Sequence, residues 1–235
     1  MHVDPPVLQI AGVEKRYHAL RPLRLDGLSV ARAERVAIVG VDGGMAEVIV
    51  NLVTGAGLPD RGEVRVLGQN TSDIGGGDDW LASLDRFGIV SDRAVLLEGA
   101  TIAQNLAMPF TLQVDPVPAD VAARVDALAT ECGIAEDWRS RLVGDAPPDV
   151  RVRAHLARAV ALEPSLLILE HATAGLPAPS AIEFAGDVVR VTESRALTTL
   201  VLTLDESFAT RVAHRALKLR PADGSLVAIG KRRWF

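Results

Sequence analysis

Cys132 is the single cysteine of this chain, which excludes an internal disulfide framework and suits a reducing compartment. No apolar run approaches the roughly 18–20 residues that cross a bilayer. The opening Met1–Pro6 has none of the layout of a signal peptide, so the chain reads as cytoplasmic. There is no Gly-x-Ser-x-Gly elbow and no Cys/His pairing to suggest a hydrolytic nucleophile. His2, His18, His155 and His214 lack metal-ligand spacing, so no zinc site is implied. Positive charge is not in excess either. The net charge is −5 with the two signs interspersed, which gives no reason to expect nucleic acid as a partner. The basic, aromatic end Lys231–Phe235 is read as a solvated tail folded onto the domain, with anionic lipid or a partner groove as the alternative.

What is present is enough apolar material for a substantial core, 49% of 235 residues, in one large α/β domain or two small ones. Strand-like runs fall at Val7–Val13, Leu23–Val30, Val36–Val39, Glu63–Leu67, Gly88–Val90, Leu166–Glu170, Thr199–Thr203, Ala216–Leu219 and Leu226–Ile229. The nearly all-apolar ones, Val36–Val39 and Leu166–Leu169, predict strands buried on both faces of a parallel sheet. Helical periodicity is clearest in Ala46–Thr54, Ala119–Cys132, Val150–Leu162, Ser180–Thr192 and Glu206–Val212. Gly75–Asp79 and Asp145–Asp149 read as loops. The stretch Thr101–Leu142 reads as mostly helical and as a lobe of its own.

Residues 34–55 have the layout of a phosphate-binding loop without its phosphate chemistry. A strand (Val36–Val39) enters a turn containing Gly40, Gly43 and Gly44, and an apolar helix follows. Where such a loop needs Gly, Lys and Ser or Thr, this chain has Met45, Ala46 and Glu47. A charge-assisted bond to phosphate, worth about 1.5–3 kcal/mol, is thereby missing. Met45 also adds a side chain where glycine would let the backbone approach an anion. Glu47 or Asp42 is expected to take the place of the phosphate and satisfy the loop internally.

These segments, with Tyr17, Leu58–Gly68, Gly88–Pro109, Leu156–Pro164 and Leu166–Leu176 in the same order, resemble the ATP-binding subunits of ABC transporters from end to end. The resemblance is nearest to the kind that serves lipid, lipoprotein or cell-envelope permeases. It implies an α/β, P-loop NTPase-like domain over residues 1–235, with a mostly parallel core sheet, an N-terminal antiparallel β subdomain and a helical lobe. The core would be 1–95 and 150–235, and the lobe about 96–149.

Carried over residue by residue, the family's working groups mostly fail. Tyr17 matches the aromatic that stacks on adenine, with plain packing as the alternative, and with Gly40, Gly43 and Gly44 it would form a residual nucleotide site. Asp92 stands for the glutamine that senses Mg²⁺ and the membrane subunit. Ala146–Val150 replaces the Leu-Ser-Gly-Gly-Gln signature, and its two prolines offer no N–H while Asp149 repels phosphate. Glu170 replaces the Walker B aspartate and is a metal ligand only if Mg²⁺ binds. His171 replaces the catalytic glutamate and is read as a structural, hydrogen-bonded histidine rather than a general base. Leu204 replaces the histidine that contacts the γ-phosphate.

The resemblance therefore implies a pseudo-ATPase with no competent catalytic residue and no expected cofactor. It would act as a scaffold or regulatory subunit at the inner face of the cell membrane, holding a permease through Asp92–Pro109 and pairing with itself or with another ATP-binding subunit. The alternatives are an ATP-binding, weakly hydrolysing transporter subunit that uses Mg-ATP, and a free-standing dimeric protein for some other ligand.

Overall fold

The computed structural model describes residues 5–74 and 77–230. The Lys231–Phe235 tail, His2 and the pair Gly75-Gly76 lie outside the described residues. In chain order the elements are β1 (Leu8–Lys15), β2 (Leu23–Val30), β3 (Arg35–Val39), α1 (Gly43–Thr54), β4 (Arg61–Val66) and β5 (Gln69–Asn70). Then come α2 (Asp78–Ser83), β6 (Phe87–Val90), α3 (Ile102–Ala107), α4 (Ala119–Glu131), α5 (Glu136–Arg139) and α6 (Pro148–Val160). The chain finishes with β7 (Leu166–Glu170), α7 (Ala178–Ser194), β8 (Thr198–Thr203), α8 (Glu206–Val212), β9 (Arg215–Leu219) and β10 (Leu226–Ala228).

Two sheets result. One is antiparallel, in the order β2-β1-β4-β5. The other runs β10-β9-β3-β8-β7-β6, parallel throughout except for the β9–β10 hairpin. Every residue of β3, β7 and β8 is buried, as expected of strands covered on both faces. Alternation along each strand then feeds two cores. Val36, Ile38, Leu166, Ile168, Leu200 and Leu202 pack with α1 and the antiparallel sheet. Ala37, Val39, Leu167, Leu169 and Val201 pack on the opposite face with the helices.

The structure moves several boundaries. Helix α1 begins at Gly43 rather than Ala46 because the Asp42 side chain caps it, and it ends on the left-handed Gly55. Helix α6 begins at Pro148, where a missing N–H costs a helix nothing. Asp78 and Asp79, read as loop, open α2. The 101–142 stretch is helical in three pieces, α3 being started by a Thr101/Gln104 capping box. These helices do not carry a core of their own. Ile102, Leu106, Val125 and Leu128 share one buried cluster with Val90 and Leu167 of the sheet. No helix among the described residues is long and apolar enough to cross a membrane.

Sheet and α6 meet most closely at Gly88, where an added Cβ would lie 2.2 Å from the Ala159 carbonyl oxygen and 2.9 Å from Pro164 Cγ. Gly88→Ala is expected to destabilise the protein by about 2–3 kcal/mol, since backbone must move to admit the methyl. Chemical denaturation of the two proteins measures it.

Candidate functional site

The sheet's central strand β3 delivers the chain to a tight turn. Gly40 takes φ +87° there, and its N–H donates to the Thr203 carbonyl at 3.1 Å. Only glycine adopts that conformation without strain. The next residues wind at once into α1, so Gly43 and Gly44 form helix rather than an open loop. Asp42 Oδ1 accepts a hydrogen bond from the Met45 N–H at 2.8 Å, satisfying a donor that a phosphate would otherwise meet. Such a cap contributes about 1 kcal/mol. Of the two carboxylates expected to close the loop internally, it is Asp42 that does so.

Glu47 is engaged elsewhere, and this corrects its expected role at the helix terminus. Its carboxylate meets Arg93 Nη1 at 3.1 Å, while Arg93 Nη2 donates to Glu170 Oε2 at 2.7 Å. Glu170 ends β7 and is only 4% exposed. Partial burial works against the Arg93 charge, but the bond and charge of Glu170, then those of Glu47 and Asp92, raise the guanidinium pKa above its usual value. One guanidinium thus joins a helix, a strand end and the loop after β6. The sequence reading missed Arg93. The available signal was a carboxylate at Glu47 where a phosphate site has a hydroxyl, a second retained at Glu170, and an arginine beside Asp92.

The other expected site residues occupy varied surroundings. Ala46 is 0% exposed and belongs to the core beneath α1, so a lysine at that position would start inside apolar packing. Tyr17 is half-buried against the loop itself, with Cε2 3.5 Å from where a Cβ on Gly44 would sit. Burial, and then the Asp42 carboxylate, raise its phenol pKa. Asp92 is exposed, and its Oδ1 accepts from Ser91 Oγ at 3.4 Å. Leu204 is 62% exposed beside Asp205, which caps α8 through Phe208 N–H at 2.9 Å and accepts from Thr173 Oγ1 at 3.1 Å.

His171 departs from its expected hydrogen-bonded role. Its backbone N–H reaches the Leu202 carbonyl at 2.9 Å, yet its ring Nε2 is buried with no partner among the described residues, and its φ is +46°. The turn after β7 fixes the backbone and leaves that nitrogen unpaired. At the signature position Pro147 supplies no side-chain cap, and Asp149 pairs with Arg153 at 3.0 Å. Arg151 donates to the Ala146 and Gly144 carbonyls at 2.9 and 2.8 Å.

The Mg²⁺-nucleotide of the alternative reading does not fit these residues in the manner of a phosphate loop. The helix begins too early, Asp42 takes the Met45 N–H, and a fixed guanidinium lies between the carboxylates that would face a metal. Tertiary placement makes simple reversal unfavourable. Met45→Gly, Ala46→Lys and Glu47→Ser together are expected to gain no phosphate affinity and to cost at least about 2 kcal/mol of stability, measurable by phosphate titration and denaturation.

His155 lies on α6 near this cleft. Burial, then Arg158 and Arg151, push its pKa down to about 4 against the opposing pull of Asp92. The unfolded chain binds this proton at its ordinary value of 6.5 and the folded chain does not. Stability from this group is therefore present above pH 6.5 and lost as pH falls toward 4. A His155→Gln variant is expected to show a flatter stability profile across that window in denaturant titrations.

Against known proteins, the family described as ABC transporter matches residues 23–174. The methionine import ATP-binding protein of Brucella abortus is 27% identical over 224 residues, covering 95% of this chain and 59% of that protein. The chain thus spans about three fifths of the length of that relative. The lipoprotein-releasing system ATP-binding protein of Alcanivorax borkumensis is also 27% identical, over 218 residues covering 90% of this chain and 93% of its own. Equal identity to a methionine and a lipoprotein system favours neither substrate. Among solved structures, a dimeric ATP-binding cassette, MJ0796, bound to ADP and Pi superposes with TM-score 0.76 at 19% identity, covering 97% of this chain and 100% of that one. A second solved structure, cbiO1 of Clostridium perfringens, part of the ABC transporter complex cbiONQ, superposes with TM-score 0.79 at 19% identity, covering 95% of this chain and 88% of that one.

Proposed function

This chain belongs to the ABC transporter family, and from that premise we propose that it is a nucleotide-independent member, a scaffold or regulatory subunit of a membrane-transport complex. The observation that carries this reading is the Arg93 guanidinium held between Glu47 and Glu170, at 3.1 and 2.7 Å. With that contact made, each of the two carboxylates has a cationic partner supplied by the protein itself, and the buried Glu170 is paired without Mg²⁺ or nucleotide. The Asp42 cap does the same for the helix terminus. No residue at 46, 47, 92, 170, 171 or 204 is assigned a catalytic step.

The partner in this reading is a permease at the inner face of the membrane, engaged through residues 92–109. Within that range α3 turns Ile102, Leu106 and Ala107 inward, so the docking surface is narrower than the range itself. Its exposed apolar part is Val95, at 70%, and Leu97, at 51%. Pairing with a second copy or with another ATP-binding subunit is part of the same proposal. The competing reading, an ATP-binding or weakly hydrolysing subunit, draws on Gly40 and on Glu170 at the end of β7.

Calorimetric titration with Mg-ATP to millimolar concentration separates the two. The expected result is no saturable heat and no accompanying thermal shift. Saturable micromolar binding would overturn the proposal and direct attention to hydrolysis, with Glu170→Gln as the next variant.

A further inference from the structure

The loop from Ser91 to Thr101 links the end of β6 to α3. On its helical side the Glu98 and Ala100 carbonyls accept from the Gly144 and Val143 N–H groups at 3.0 Å, Glu98 faces Arg151 at 3.6 Å, and further side chains hold it from different directions. Arg158 Nη1 donates to the Val95 carbonyl at 2.7 Å. Asn105 accepts from the Leu97 N–H at 2.8 Å and donates back to the Leu97 carbonyl at 3.0 Å. Both contacts tie the loop to the helical side. Arg93 ties it to the opposite side, to α1 through Glu47 and to β7 through Glu170.

Those two attachments differ in kind. The contacts from Arg158 and Asn105 are ordinary hydrogen bonds to backbone, made by helix residues. The Arg93 contact is a charge bridge, in which one cation borne on the loop pairs with two anions, Glu47 on α1 and Glu170 at the end of β7, and offsets one of their two charges. An unpaired carboxylate pair here would need an external cation, and the loop would then have no ionic bond to the core. Because the charge is part of the chain, the loop and the core are joined without a ligand.

We propose that Arg93 is a built-in counter-ion latch: it takes the place between Glu47 and Glu170 that a bound cation would fill, and so keeps residues 91–101 docked on the core at all times. The exposed Val95 and Leu97 are then presented in one fixed arrangement. The latch deepens the nucleotide-independent reading and rests on it for its role, though not for its test.

The experiment is hydrogen exchange by mass spectrometry, in buffer free of nucleotide, on the wild type, Arg93→Met, Arg93→Lys and the double variant Arg93→Met/Glu170→Gln. Amides of 91–101 are expected to exchange roughly tenfold faster in Arg93→Met. In the double variant the uncompensated buried charge is gone, so β3, β7 and β8 regain wild-type protection while the loop stays fast. Arg93→Lys, which keeps the charge, restores part of the loop's protection. Wild-type loop protection in the double variant would overturn the latch, leaving the contacts on the helical side as sufficient holds. Faster exchange spread evenly over loop and core in the double variant would also overturn it. Mg-ATP binding by the wild type would overturn the proposed function and leave these exchange results standing.

Discussion

A carboxylate at the end of a strand buried on both faces keeps its charge only where a cation or hydrogen-bond donors lie within reach. Glu170 is that carboxylate: β7 is covered by the antiparallel sheet and α1 on one side and by helices on the other, and Glu170 itself is 4% exposed. Removing one partner of a buried pair costs about 3–5 kcal/mol, and the half-exposed Arg93 places this bridge below that range. The need for compensation nevertheless decides where the loop after β6 lies. The same guanidinium reaches Glu47 and so adds a polar contact to α1, whose attachment to the sheet rests on its buried apolar face.

The start of α1 follows a parallel logic. A phosphate loop keeps its N–H groups free for an anion, which in the empty state leaves donors unmet. Here the helix begins at Gly43, and Asp42 meets the Met45 N–H from within. Ala46 can then turn fully into the apolar core, a position that a lysine would occupy only at a desolvation cost. The residues that are unsuitable for binding a triphosphate are those that make the empty turn self-sufficient. Charge at 42, 47, 93 and 170 forms one consistent arrangement, in which anions at both ends of the turn are answered by the protein's own donors.

The framework was legible in the sequence because it rests on local pattern. The all-apolar runs at Val36–Val39 and Leu166–Leu169 mark doubly buried strands, and alternation along β1 and β2 marks the half-exposed antiparallel sheet. The long helices α4, α6 and α7 carried enough periodicity to be found, with ends shifted by one or two residues, and the short α8 was read with its observed bounds. The losses at positions 45, 46 and 47 were equally visible, since they are defined by position in a motif. Less was visible in α2 and α3, whose six residues each give periodicity little to act on.

The sequence by itself determined which elements form and which chemical groups are missing from the turn, because spacing, hydrophobic period and residue type are local properties. Tertiary structure alone decided what replaces them. Arg93 and Glu170 stand 77 residues apart and meet because parallel pairing sets β6 beside β7, so that the loop after one strand passes the end of the other. In the sequence Glu47 read only as an anion for the helix terminus, in place of the phosphate or beside Asp42 in that role. Its actual partner depended on where a third segment's guanidinium came to lie. The unpaired ring nitrogen of His171 is another such outcome, fixed by the turn after β7 and its surroundings rather than by the residue. Electrostatic partners are chosen by proximity after folding, and no pattern along a single stretch of chain records that choice.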